Sequence, residues 1–97
     1  MKVKLTSTYS RPNKDIPWFT YPEDHRIAIQ GFISENKVEI DVVLNEPLTY
    51  VQTLVFNSQE LYNEFINTPA ITAGREARDI YCQLNTITYS LEIEELP

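Results

Sequence analysis

The chain has 97 residues, of which 42% are hydrophobic and 23% charged, and its formal net charge is −6. This length predicts a single domain spanning residues 1–97, and the ordinary globular composition argues against disorder. Acidic residues dominate after Lys37, where the basic patch that nucleic-acid phosphates require is missing, so we expect no nucleic-acid partner.

The cysteine count and the hydrophobic runs bear on the compartment. Cys82 is the only cysteine, so an intramolecular disulfide is excluded, and we expect this thiol to be structural. The N-terminal segment MKVKLTSTYS has no apolar run typical of a signal peptide, and no stretch approaches the roughly 20 apolar residues that cross a membrane. We therefore expect a soluble, cytoplasmic protein without a membrane partner.

The first third of the chain combines one regular strand with an irregular loop. Residues 2–9 predict a strand with Val3 and Leu5 on one face. Residues 10–22 hold three prolines, which exclude a regular ladder or helix interior. The same loop carries large aromatic side chains, so we expect it to pack onto the core or onto a partner; these are Trp18, Phe19 and Tyr21.

Residues 23–35 fit two periodicities. As a helix they place Ile27, Ala28, Gly31 and Phe32 on one face, and as a strand they place Ile27, Ile29, Gly31 and Ile33 on one face. We favour the helix, because a connection of this length is needed if the flanking strands run parallel. The strand stays open as the alternative.

The middle of the chain predicts a hairpin followed by a helix. Residues 38–44 and 48–56 alternate as strands, and the turn Asn45-Glu46-Pro47 is too short to cross a sheet, so the strands pair antiparallel. The second strand is apolar on both faces, with Val51 and Val55 opposite Leu54 and Phe56. Asn57 or Ser58 then caps a helix that ends at Thr68-Pro69.

The last third predicts a helix over 69–84 and a strand over 86–94. The apolar positions that recur along this helix are Ala73, Ala77, Ile80, Tyr81 and Leu84, with Arg78 and Asp79 on the solvent side. Gly74 marks close packing or a bend, and Asn85 suits a left-handed helix end. The strand alternates cleanly, with inward positions Ile87, Tyr89, Leu91 and Ile93.

This order predicts an α+β, ferredoxin-like βαββαβ fold with a four-stranded antiparallel sheet and helices on one face. If residues 23–35 form a strand, the alternative is a five-stranded sheet with one helical region. The second sheet face needs a cover, because the strand over 48–56 is apolar on both sides. We therefore expect a homodimer packed sheet to sheet, a dimeric α+β barrel.

The run LVFNSQELYNEFINTPAITAGREARDIY, with Ser58, Glu60 and Phe65 in an S-x-E-x-x-x-x-F pattern, resembles the dimeric α+β-barrel proteins of the antibiotic-biosynthesis monooxygenase type. The resemblance covers residues 38–94 well and implies an apolar pocket between sheet and helices for a small apolar or aromatic ligand. The side chains that would line it are Tyr9, Trp18, Phe19, Tyr50, Gln52 and Tyr89. The alternative is that they are ordinary core and interface residues.

Candidate chemistry is sparse. His25 is the only histidine and the one candidate general base, although we expect it to be a surface or helix-start residue. No His, Cys and carboxylate groups have metal-ligand spacing, so we expect no metal and no cofactor. Haem-degrading relatives use a histidine on the last helix, and residues 69–85 contain none.

We interpret the chain as a binding or accessory protein, because no acid–base constellation is visible. One alternative is a cofactor-independent monooxygenase or a related small-molecule enzyme. The other alternative is a phage-type accessory or assembly protein.

Overall fold

A computed structural model describes all residues 1–97. Its elements are β1 (Lys2–Ser10), α1 (Glu23–Ser34), β2 (Val38–Asn45), β3 (Thr49–Phe56), α2 (Gln59–Ile66), α3 (Pro69–Leu84) and β4 (Thr88–Leu96). Residues 23–34 are helical, so the five-stranded alternative is wrong. None of the helices combines the length and apolar character needed to cross a membrane.

The strands form one antiparallel sheet in the order β2-β3-β1-β4. Leu5 lies at the centre of this register, opposite Leu54 on β3 and Ile93 on β4. This is the predicted ferredoxin-like arrangement. β1 and β3 are its central strands, because β2 and β4 each have a single neighbour.

All three helices contribute to one core on one face of the sheet. Val3 and Phe56 lie opposite each other on β1 and β3, and both are almost fully buried. The Phe56 ring lies 4.9 Å from the Phe65 ring of α2, and Phe65 in turn meets Phe32 of α1 edge to face at 5.4 Å. Aromatic pairs in this geometry stabilise the fold beyond the contribution of the apolar area that they bury.

The other face of the sheet is open in the single chain. Val51 and Val55 lie there, half-buried, on either side of the buried Thr53. Their partners on β1 are Thr8 and Lys4, so the face mixes aliphatic, hydroxyl and charged groups. The Trp18 loop does not cover this face, because it packs over the end of the helical face, as described below.

The buried face of α3 differs from the predicted one. Its buried positions are Ile71, Gly74, Arg78 and Cys82, whereas Ile80 is 59% and Leu84 78% exposed. The prediction was wrong because it assigned the inward face by hydrophobicity. Gly74 and Arg78 lie inward instead, since Gly74 permits close helix packing and the Arg78 guanidinium donates hydrogen bonds to Tyr21 and Asp79.

Smaller departures concern helix ends and the edge strand. Of the two predicted caps of α2, Ser58 is the N-cap, and its hydroxyl accepts a hydrogen bond from the backbone amide of Leu61 at 3.2 Å. Thr86, rather than Asn85, takes the left-handed conformation, with a φ of 60°. Ile93 is 53% exposed despite its inward prediction, because it lies on an edge strand.

Candidate functional site

The loop of residues 11–22 is fastened over one end of the helical face. Arg11 donates from Nε to the carbonyl of Pro47 at 2.6 Å and from Nη1 to the carbonyl of Ile16 at 2.8 Å, and its guanidinium lies 4.3 Å from the Trp18 ring centre. The Tyr81 hydroxyl of α3 donates to the carbonyl of Pro17 at 2.6 Å. The loop is therefore tied both to the β2–β3 turn and to α3.

Between this loop and the sheet lies a cleft of about 290 Å³, which we call the aromatic cleft. Its walls are five aromatic rings and one amide: Tyr9, Trp18, Phe19, Tyr21, Tyr50 and Gln52. A concave, mostly apolar site with a few polar groups is the usual form of a small-molecule site, and this volume is near the lower end of their range.

The rings of the cleft contact one another and so hold one another in place. Trp18 lies 6.4 Å from both Tyr9 and Tyr50, and those two tyrosines lie 6.2 Å apart. On the other side, Phe19 lies 5.0 Å from Tyr21. Such tilted and edge-to-face arrangements leave ring surface available to a planar ligand.

A smaller cavity of about 40 Å³, which we call the inner cavity, adjoins the cleft between the sheet and the helices. It shares three walls with the cleft, namely Tyr9, Tyr21 and Gln52, and its further polar walls are Ser7, His25, Arg75, Arg78 and Tyr89. A water molecule needs about 10–15 Å³ of such space, so the inner cavity has room for a small polar group.

Arg78 supplies a fixed positive charge at the inner cavity. The side chain is only 5% exposed, and it donates to the Tyr21 hydroxyl at 3.2 Å and to Oδ1 of Asp79 at 2.9 and 3.1 Å. Its guanidinium also lies 4.1 Å from the Tyr89 ring centre. Burial disfavours the cation, but the interactions with Tyr21, Tyr89 and Asp79 together outweigh it, and the pKa of Arg78 stays above its ordinary value.

His25 is buried at the start of α1, with 3% of its surface exposed. Its ring stacks on Tyr21, with centres 4.0 Å apart and planes 15° from parallel. Burial, followed by the charges of Arg78 and Arg75, lowers the pKa of His25 to about 4. The imidazole is therefore neutral at neutral pH.

Two tyrosines add neutral hydroxyl groups. Burial raises the pKa of Tyr9 above its ordinary value, and burial likewise raises the pKa of Tyr89. The Tyr9 hydroxyl lies 3.2 Å from the Tyr21 hydroxyl. A chain of polar contacts thus runs from Tyr9 through Tyr21 to Arg78, from the cleft into the inner cavity.

The structure gathers most of the predicted site residues and separates two. Five line the aromatic cleft, namely Tyr9, Trp18, Phe19, Tyr50 and Gln52, and Tyr89 lines the inner cavity. Val51 and Val55 lie on the opposite sheet face. A binding role for any of them stays a prediction.

His25 lies at the start of α1, which was one of the two expectations, but it is buried rather than at the surface, because it packs against Gly74 of α3. The sequence analysis also missed Arg78, whose signal was its four-residue spacing from Gly74 and Cys82 on one helix face. Tyr21 was recognised only as loop aromatic surface, although it contacts Tyr9, His25 and Arg78. No group of three or more His, Cys, Asp and Glu side chains is placed to hold a metal ion.

Comparison with known proteins gives similarity in structure only. No family model matches this chain, and no curated protein matches it in sequence. Solved structures do match over nearly the whole chain. The N63A mutant of SnoaB, a cofactor-independent oxygenase from Streptomyces nogalater, superposes with a TM-score of 0.61 at 9% identity, covering 98% of this chain and 92% of that one.

Two further structures have the same fold. A Deinococcus radiodurans protein, proposed to be an antibiotic-biosynthesis monooxygenase, matches with a TM-score of 0.51 at 11% identity over 98% of this chain and 92% of its own. A dimeric ferredoxin-like protein from an uncultured marine organism matches with a TM-score of 0.53 at 13% identity over 98% and 94%. The predicted resemblance is thus confirmed as a likeness of fold, which does not by itself assign a function.

Proposed function

We propose that this protein binds a planar aromatic small molecule in the aromatic cleft and acts as a binding or accessory protein. The observation that carries this proposal is the cleft itself, a space of about 290 Å³ whose lining is five aromatic rings and one amide. Ring surface of this kind stacks on flat apolar ligands. The ties from Arg11 and Tyr81 hold the loop in place before a ligand arrives, which reduces the entropy lost on binding.

Equilibrium dialysis with naphthalene and 1-naphthol tests this proposal. We expect both to bind, and we expect Trp18→Ala to weaken binding by about tenfold, because a stacked ring is lost from the centre of the site. Ile27→Ala is the matched control, since Ile27 is 61% exposed on α1 and does not line the cleft. Absence of binding by either compound up to its solubility limit, or equal binding by Trp18→Ala, would overturn the proposal.

We also propose that the protein is a homodimer that pairs through the open sheet face. All three helices lie on the other face, and Val51 and Val55 of the central strand β3 present aliphatic surface here. One of the structural neighbours is described as a dimeric ferredoxin-like protein. A symmetric partner would cover this surface with a second copy of itself.

Light scattering coupled to size exclusion tests the dimer. We expect a dimer at micromolar concentration, and we expect Val51→Lys to dissociate it, because Val51 lies opposite Thr8 and Leu44 and two lysines would be buried without carboxylate partners. Ile80→Lys is the control, since Ile80 is 59% exposed on α3. A monomeric wild type, or a dimeric Val51→Lys variant, would show that the interface lies elsewhere or does not exist.

A second candidate is a cofactor-independent monooxygenase. It is favoured by the buried polar end of the site, where Arg78 holds a positive charge beside the aromatic cleft, and by the fold that the chain shares with SnoaB. A cation in this position would stabilise an enolate or phenolate oxygen of the substrate. Dioxygen would be the oxidant: a ring CH₂ and O₂ would become C=O and H₂O, with one oxygen atom becoming the carbonyl oxygen and the other leaving as water.

Oxygen consumption with anthrone tests this candidate, because its ring methylene is activated by tautomerism to a hydroxyarene. An enzyme would consume O₂ faster than the protein-free reaction and equimolar with product, and Arg78→Met would return the rate toward background. A rate equal to the protein-free rate would exclude this activity and leave the binding role.

A further inference from the structure

One buried polar atom in this protein has no hydrogen-bond partner. Nδ1 of His25 is enclosed, and it is the only buried side-chain nitrogen or oxygen without a partner. Buried polar groups are nearly always hydrogen-bonded, because leaving one unpaired destabilises the fold. An exception at the wall of a cavity points to a group that binds there.

The space beside His25 limits what that group can be. His25 lines the inner cavity, whose volume of about 40 Å³ admits a small polar group of one or a few heavy atoms. The inner cavity adjoins the aromatic cleft through the shared walls Tyr9, Tyr21 and Gln52, so a ring seated in the cleft can direct one substituent into it.

The chemistry of the walls favours a hydroxyl group. Neutral imidazole offers at Nδ1 either an acceptor or a donor, depending on its tautomer, and a hydroxyl matches both because it donates and accepts. Arg78 and Arg75, on the same cavity, are donors and therefore favour an oxygen atom over an apolar substituent. An ether oxygen accepts but cannot donate, and its extra methyl group adds volume.

We propose that the inner cavity receives the hydroxyl group of an aromatic ligand, which hydrogen-bonds to Nδ1 of His25, so that the protein selects hydroxyarenes over the same rings without a hydroxyl. This inference rests on the proposed ligand binding in the aromatic cleft. It assigns His25 as a specificity-determining residue and places the ring in the cleft and its oxygen in the inner cavity.

The wild-type protein tests this selectivity by equilibrium dialysis with 1-naphthol, 1-methoxynaphthalene and naphthalene. We expect 1-naphthol to bind about tenfold more tightly than the other two, the factor that one hydrogen bond to an otherwise unpaired buried group contributes. Equal affinities for the three compounds would overturn the selectivity and leave the cleft as an aromatic site. Absence of binding by all three would instead overturn the proposed function.

Two substitutions assign the selectivity to His25. In His25→Leu the ratio of the affinities for 1-naphthol and naphthalene should fall below about twofold, because the hydrogen bond to Nδ1 is removed and a ratio within one variant cancels a change that affects both ligands equally. His25→Asn should keep most of the preference, since its side-chain amide places a hydrogen-bonding atom near the position of Nδ1. A preference that persists in His25→Leu would assign the hydroxyl to another group and overturn the role of His25. Should the leucine variant fail to fold, the wild-type series and His25→Asn still decide.

Discussion

The close contact between α1 and α3 at Gly74 predicts that a larger residue there destabilises the protein. A Cβ atom added there would lie 2.7 Å from Cγ of His25 and closer still to Cδ2, and the ring cannot swing away freely because its face is stacked on Tyr21. Overpacking of this kind costs about 1–3 kcal/mol, whereas alanine in place of glycine gains up to about 1 kcal/mol of helix propensity. We expect Gly74→Ala to destabilise the protein by about 1–2 kcal/mol.

The chain offers a matched control in its second glycine. Gly31 also lies in a helix, α1, but a Cβ there meets nothing within 4 Å. Gly31→Ala should therefore stabilise the protein by up to about 1 kcal/mol, through propensity and the lower entropy of the unfolded chain. The change from glycine to alanine raises helix propensity equally at both positions. Changes of opposite sign in the free energy of unfolding would therefore isolate the contact with His25.

Urea unfolding followed by far-UV circular dichroism measures both variants. The double variant His25→Ala/Gly74→Ala completes a thermodynamic cycle, and there Gly74→Ala should no longer be destabilising, because the ring it meets has been removed. If Gly74→Ala stabilises the protein as much as Gly31→Ala does, the two helices do not approach as closely as the structure shows, and the reasoning is refuted.

Three further outcomes follow from buried or capping groups. The pKa of His25 falls to about 4 on folding, so the unfolded chain binds a proton before the folded one as the pH falls below about 6.5. Between about pH 8 and about pH 5 the free energy of unfolding should therefore drop by about 2 kcal/mol more in the wild type than in His25→Leu. Urea titration at each pH measures this difference. Equal pH dependence in the two proteins would contradict the buried neutral imidazole. Ser58→Ala should lower the free energy of unfolding by about 1 kcal/mol through loss of the hydrogen bond that its hydroxyl accepts from the Leu61 amide, and an unchanged urea midpoint would contradict this cap. Cys82 is 4% exposed and burial raises its thiol pKa, so a thiol reagent should modify it only after unfolding, and rapid labelling of the native protein would contradict its buried position.

Local patterns were sufficient for the architecture. Alternation along β2, β3 and β4 and the turn at Pro47 predicted the hairpin and the four-stranded sheet, because a period of two and a short turn are local properties. The helix over residues 23–34 could be favoured but not decided, since its apolar residues satisfied both periods. The aromatic residues of the cleft could be gathered only through a resemblance, not from their spacing.

The sequence by itself determined the order of the strands and helices outside residues 23–35, because each of those elements is specified by neighbouring residues. Only the tertiary structure decided which face of α3 turns inward, since Arg78 is buried by partners that lie 57 residues away, at Tyr21, and on β4, at Tyr89. It likewise placed the single histidine inside rather than at the surface. A polar residue can be buried where groups distant in sequence bind its polar atoms and a neighbouring helix packs closely against it. Its neighbours along the chain show neither the distant groups nor the helix contact.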